Sequence, residues 1–325
     1  MPNLPGALVI SLDFELVWGV RDLESTGYRK DLMPTRQVVP RLLGMFQKHD
    51  IHATWATVGF LFFDSSTEMQ AGLPELKPKY ENGFLSPYDN LSKEVGENET
   101  ADPLHFAPSL IRQILSTPHQ ELGTHTFSHY YCLENGQTVK DFEADLRAAM
   151  KAAEKYQCKV ESIVFPRNQY SKEYLDVCAR NGIKTFRGNE SLWFRTPSKR
   201  SEHRQWSRRI MRVLDAYLNV SGANAFPQPS DGYPVNVPAS RYLRPVSKRL
   251  RVIEPLRLNR IKHSMREAAQ SGQIFHLWWH PEDFAENLED NFAFLEKILS
   301  EYAALRSSYG MQSLTMGEVG NKARS

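Results

Sequence analysis

ALVISLDFE, residues 7–15, decides the architecture. It is a short, β-prone, almost wholly apolar run that ends in carboxylates, which suits a buried strand. Runs of the same kind return as ATWATVGF (53–60), ELGTH (121–125), SIVFP (162–166), KTFRG (184–188), QIFHLWWH (273–280) and MQSLT (311–315). Stretches with apolar residues at helical spacing separate them, over 37–49, 109–116, 138–157, 171–182 (ended by Gly182) and 291–307. Strand and helix in alternation predict a parallel α/β sheet with right-handed crossovers. With 325 residues, no internal repeat and no linker, the pattern predicts one domain with insertions over 63–107 and 190–262.

The net charge of +2 names no partner by itself. Cys132, Cys158 and Cys178 cannot all pair within one chain and show no CxxC spacing, so reduced thiols are expected. The opening MPNLPGALVISLDFE lacks the basic start and cleavage site of a signal peptide, and no apolar run approaches the ~18 residues that span a bilayer. The expectation is a chain kept in the cytoplasm.

Polar residues gather where the strands should end: Asp13 and Glu15, then His125 and His129, Arg167, and His280. In parallel α/β folds that edge builds sites. Residues two apart on extended chain point the same way, so Asp13 and Glu15 would face one side together. Two carboxylates held close call for a cation or proton between them. A solvated loop with two unrelated acids is the plainer alternative.

In THTFSHY (124–130), His125 and His129 stand four apart, and on a helical turn both rings could reach one metal. Such pairs are also common as plain surface or core residues. Two histidines and a carboxylate would leave an open position for water, the arrangement of a catalytic zinc site. Arg167 in FPRNQY (165–170) reads either as a surface salt bridge or as a cation holding a neighbouring carboxylate ionised. In HLWWHPEDF (276–284), His276 reads as a satisfied core histidine and His280 as a functional one.

Taken in order, SLDFE, HTFSH, FPRNQY and LWWH resemble the motifs of the polysaccharide deacetylases of NodB-homology type, carbohydrate esterase family 4. The resemblance runs from residue 7 to about 320. It implies an irregular (β/α)7-type barrel and a divalent metal, most simply Zn²⁺, with Co²⁺, Ni²⁺ or Mn²⁺ as alternatives. By the match Glu15, His125 and His129 would hold the metal and Asp13 would be the general base, with the reverse assignment of the two acids left open. Arg167 would keep Asp13 ionised. A backbone N–H near Asn168 to Tyr170 would face the oxyanion, and His280 would protonate the leaving amine, with Glu282 or Asp283 as its partner. Trp278, Trp279 and Trp193 would wall an acyl pocket, unless they are ordinary packing. The family's adjacent acid pair becomes acid-x-acid here, and its fourth motif has only a loose counterpart in FRGNESLW (186–193).

Two stretches are strongly basic. Residues 195–213 hold seven Arg or Lys against Glu202, and residues 241–262 hold eight against Glu254. They read either as solvated helix faces or as contacts to phosphate, on a nucleotide- or lipid-linked sugar or on lipid headgroups. Nucleic acid is not expected, since no recognised binding motif accompanies the charge. The expected function is removal of an acetyl or formyl group from an amino sugar in surface-polysaccharide (lipopolysaccharide or O-antigen type) biosynthesis. Two alternatives remain at this point: an allantoinase-like or imidase activity on small cyclic amides, and a phosphate- or membrane-surface binding protein with a vestigial site.

Overall fold

The computed structural model describes residues 4–21, 32–189, 215–217, 222–230 and 232–324. Among them, nine strands form one sheet in the order β6-β5-β4-β3-β2-β1-β8-β7, with β9 also paired to β1, and every pairing is parallel. The strands are β1 (Ala7–Phe14), β2 (Ala53–Thr57), β3 (Gln120–Thr124), β4 (Ser162–Ile163), β5 (Thr185–Phe186), β6 (Val235–Asn236), β7 (Arg241–Tyr242), β8 (Ile274–Trp279) and β9 (Gln312–Leu314). This is the parallel α/β sheet that the alternation of runs predicts, curled into a half-barrel as the family resemblance implies.

β1 is the axis of the sheet. It is buried throughout, and β8 runs along it from Ala7 to Leu12. β2 covers it from Ile10 upward and β9 covers Ala7–Val9 below. The period-2 alternation of side chains sorts its residues into two environments. Leu8, Ile10, Leu12 and Phe14 join the main core beneath the helices. Ala7 and Val9 join a small apolar cluster with Ala56, Val164, Val237, Ile274, Leu314, Met316 and Val319. Ser11, Asp13 and then Glu15 continue that second face upward, so it is apolar at the base and polar at the top.

The helices Thr35–His49, Pro108–Ser116, Val139–Glu154, Lys172–Arg180, Glu254–Ser271 and Leu288–Tyr309 are the crossovers. Val139–Glu154 begins on a reciprocal cap between Thr138 and Asp141, which satisfies otherwise orphaned N–H groups. Its apolar face buries Phe142, Leu146 and Ala149, and Asp145 lies buried on that same face.

The second basic stretch differs from its expected form. Residues 241–262 are not one helix: β7 and a 3-10 turn (Lys248–Leu250) precede the helix that starts at Glu254. Three of its arginines are buried among carboxylates rather than solvated. Arg241 and Arg260 face Asp215 at 3.7 and 2.9 Å, and Arg257 binds Glu254. The first basic stretch and Trp193 lie outside the described residues.

Candidate active site

Because all strands run parallel, everything that follows a strand end meets at one edge of the sheet. Glu15 follows β1, the two histidines follow β3, Asn168 follows β4, Arg187 follows β5 and His280 follows β8.

The histidines are brought together by a loop, not by a helical turn. Thr126 and His129 take left-handed backbone (φ 63° and 56°), so THTFSHY folds back on itself rather than coiling. The loop hangs on Asp145, whose carboxylate accepts from the Phe127 and Ser128 N–H groups at 2.7 and 3.2 Å and from the Ser128 hydroxyl. Burial pushes the Asp145 carboxyl up to about 6 despite these donors. From the other side the Gly59 N–H donates to Thr126 O at 3.0 Å, and the His125 N–H to Thr57 O at 2.9 Å.

Glu15, His125 and His129, all buried, bring one oxygen and two nitrogens to a common point. Glu15 Oε2 lies 3.2 Å from His125 Nε2 and 2.9 Å from His129 Nε2. His125 Nδ1 donates to Val164 O at 2.9 Å, which turns its Nε2 toward the Glu15 carboxylate. Glu15 Oε2 is a buried atom without a hydrogen-bond partner. A cation would satisfy that orphaned oxygen, so the residues fit a divalent metal. Burial holds His129 down at about 4, leaving it neutral, as a ligand must be. For Glu15, burial raises the pKa but the surrounding imidazoles outweigh it and hold it well below the usual carboxylate range. Gly19 makes the approach feasible, since a Cβ there would stand 1.9 Å from Glu15 Oε1.

Asp13 sits beside this cluster, gripped by a guanidinium through both oxygens. The guanidinium is that of Arg187, at 2.6 and 2.7 Å, and not that of Arg167. Arg187 Nη2 also donates to Asn168 Oδ1 at 3.1 Å, and the group stacks 4.1 Å over Trp278. Burial raises the Asp13 pKa, but Arg187 outweighs it and the net shift is downward. Arg167 is a correction to the sequence reading. It approaches Glu134 at 3.6 Å and lies 4.3 Å over the Tyr131 ring, whose hydroxyl meets His129 Nδ1 at 3.1 Å. Arg167 therefore borders the second histidine from behind rather than the acid.

His280 closes the other flank. Its Nδ1 meets Asp283 Oδ2 at 3.1 Å, and Tyr242 OH donates to the same oxygen at 2.7 Å. That leaves Nε2 facing Glu15 at 3.6 Å and Asp13 at 3.8 Å. Burial would lower its pKa, but the three carboxylates raise it well above the ordinary histidine value. Of the two candidate partners, Asp283 has the contact. Glu282 instead accepts from the Leu16 N–H, and burial lifts its carboxyl to about 8.

Trp279 is a second correction. It is fully buried against Phe46 and Phe284 in the core behind the sheet, because it alternates with Trp278 along β8. Trp278 is on the site face, in ring contact with Tyr242 and His280. His276, also on that face, is a satisfied buried histidine between Val237 O and the Ser11 hydroxyl. Tyr170 packs on Phe165 and Phe186, and its hydroxyl accepts from the Asn189 N–H.

A second cluster, Asp50, His52 and His119, sits at the opposite edge, ahead of β2 and β3. Its two rings stack in parallel at 4.1 Å, and His52 Nδ1 is held by Glu318.

Residues 30–186 match the family model for polysaccharide deacetylase. The chain resembles the polysaccharide deacetylases. Among solved structures, a Mycobacterium smegmatis protein assigned to the polysaccharide deacetylases aligns with 100% of this chain and 94% of its own, at a TM-score of 0.60 and 13% identity. Puue allantoinase aligns with 97% of this chain and 89% of its own, at 0.56 and 10% identity. A Pseudomonas aeruginosa PAO1 protein assigned to the polysaccharide deacetylases covers the same shares, at 0.55 and 10%. At these identities the structural likeness is one of fold. No curated protein matches the sequence. The departures from the polysaccharide deacetylase pattern are specific: the acid-x-acid pair, and a guanidinium supplied after β5 rather than from FPRNQY.

Arg187, Asp145 and Gly19 were not singled out from sequence. Arg187 had a signal, a lone cation directly after the KTF strand. Asp145 had one too, an acid on the apolar face of an amphipathic helix. Gly19 carried none.

Proposed function

We propose that this chain is a metal-dependent hydrolase that removes an N-acyl group, acetyl or formyl, from an amino sugar in surface-polysaccharide biosynthesis. One observation carries the reading. The buried Glu15–His125–His129 cluster lies between a carboxylate gripped through both oxygens by Arg187 and an imidazole whose Nδ1 is held by Asp283.

A divalent ion held by Glu15, His125 and His129, most simply Zn²⁺, supplies Lewis-acid polarisation and an acidified water. Asp13 takes the proton of the attacking water, and Arg187 keeps its carboxylate aligned and charged. The developing oxyanion needs a donor. The Asn168 and Gln169 N–H groups are already used in their own turn, to Phe165 O and Pro166 O, which leaves the Tyr170 N–H for that role. His280 gives its Nε2 proton to the departing amine, while Asp283 holds the ring's other nitrogen. Trp278 lines the acyl side.

Acetate release from N-acetylglucosamine oligomers, run beside formate release from N-formyl analogues, tests the reading. Asp13→Asn should abolish turnover, and His280→Ala should lower it ~10²–10⁴-fold without weakening Zn²⁺ binding. No acyl release from any N-acyl amino sugar in the Zn²⁺-loaded protein would overturn it.

A further inference from the structure

We infer that the corner formed by residues 247–256 docks this protein on an anionic lipid surface, with the site edge turned toward the headgroups. Three observations meet there. The first is position. β7 runs parallel to β8, so the chain that leaves Tyr242 emerges at the same edge as His280, and the helix Glu254–Ser271 then returns to the start of β8. The corner therefore belongs to the catalytic side.

The second is a mixed basic and apolar crest. Lys248, Arg249 and Arg251 are exposed and make no ion pair among the described residues. Val252 beside them is 93% exposed and Leu256 is 50% exposed. No acid occurs between Arg241 and Ile253, and Glu254 is buried against Arg257. Singly exposed apolar side chains are ordinary. An exposed aliphatic pair in sequence with three exposed cations that make no ion pair among the described residues matches a membrane interface, with cations among phosphates and an aliphatic wedge below them.

The third is that the crest is built rather than loose. The Leu243 N–H donates to Trp278 O at 2.8 Å, the Val246 N–H to Asn291 Oδ1 at 2.6 Å, and the Ser247 N–H to Glu254 Oε1 at 3.3 Å. Residues 215–217 pack on the same helix through Asp215–Arg260 and Tyr217–Glu254.

A nucleic acid would also answer the charge, but the crest offers it no aromatic ring for stacking. The docking itself does not depend on the reaction assigned above; only its use, presenting lipid-linked sugars to the site, rests on that reading.

Vesicle cosedimentation of the full chain tests the inference. Wild type should bind phosphatidylcholine vesicles containing phosphatidylglycerol, not pure phosphatidylcholine, and salt should weaken binding. The triple variant Lys248→Ala, Arg249→Ala, Arg251→Ala should bind about 100-fold less tightly, since each cation near an anionic leaflet contributes about fivefold. Val252→Ser should weaken binding several-fold. Both variants should keep the wild-type melting temperature and wild-type acetate release from a soluble N-acetylglucosamine oligomer, so loss of docking and loss of chemistry are read separately. Failure of wild type to bind the anionic vesicles overturns the inference. So does undiminished vesicle binding by the triple variant, or a triple variant that loses only single-stranded oligonucleotide binding.

Discussion

Arg187 is the residue on which the site's electrostatics turn. Its fork takes both oxygens of Asp13 and reaches Asn168 as well, a geometry lysine cannot reproduce. Arg187→Lys should therefore lower kcat by ~10²-fold, on the scale of losing one charged or general acid–base contact in the transition state. It should also move the acid limb of the pH–rate profile upward, because Asp13 then loses the paired guanidinium hydrogen bonds that help hold its pKa down, although lysine keeps a positive charge. Arg167→Ala should leave that acid limb in place, and pH–rate profiles of the two variants separate these roles. Gly19 is a test of a different kind. Gly19→Ala pushes a methyl into the Glu15 carboxylate and should weaken Zn²⁺ binding ~10–100-fold, read by calorimetric titration. At this scale the sequence was partly legible. The period of two along QIFHLWWH already separates Trp278 from Trp279, and applying it would have sent Trp279 to the core. The choice between Arg167 and Arg187 was not legible, because both follow strands and only the sheet's curl decides which guanidinium meets Asp13.

At the scale of elements, the strands and long helices were readable because each carries a clear period. The THTFSHY loop was not. Its four-residue histidine spacing fits a helical turn, yet the backbone takes two left-handed residues, and what holds it is a carboxylate from a helix that follows it in sequence. That dependence is testable. Asp145→Ala leaves buried N–H donors of the loop unmet, for a loss of about 1–3 kcal/mol in urea unfolding, and should also lower Zn²⁺ affinity. A variant that loses stability but binds Zn²⁺ as wild type would show that the loop keeps its shape without this anchor. The basic stretches mark the other limit. Arg241, Arg257 and Arg260 count as surface charge in sequence, but buried acids claim them in the fold.

For the whole molecule, the polar interior of the curled sheet sets the response to acid. Burial holds His276 down at about 3, whereas an unfolded histidine titrates near ~6.5. Between those values the unfolded chain takes up a proton the folded chain refuses, so stability drops by about 1.4 kcal/mol for each unit that the pH is lowered, for this group. Asp145 acts in the opposite sense. Its raised pKa lets the folded chain bind a proton first below about 6, which offsets part of the loss. His276→Gln removes the first contribution alone. The stability difference from wild type should shift in the variant's favour as the pH falls from ~7 to ~4.5, followed by urea unfolding at each pH.

The central claim is that Glu15 and the two histidines, not Asp13, hold one divalent ion. Zn²⁺ titration of the full chain by calorimetry, comparing wild type with Glu15→Gln and Asp13→Asn, tests it most directly. The expected result is Zn²⁺ binding at this site in wild type, retained in Asp13→Asn and weakened at least ~10²-fold in Glu15→Gln. Retention in Glu15→Gln with loss in Asp13→Asn, or no binding in wild type, would contradict it.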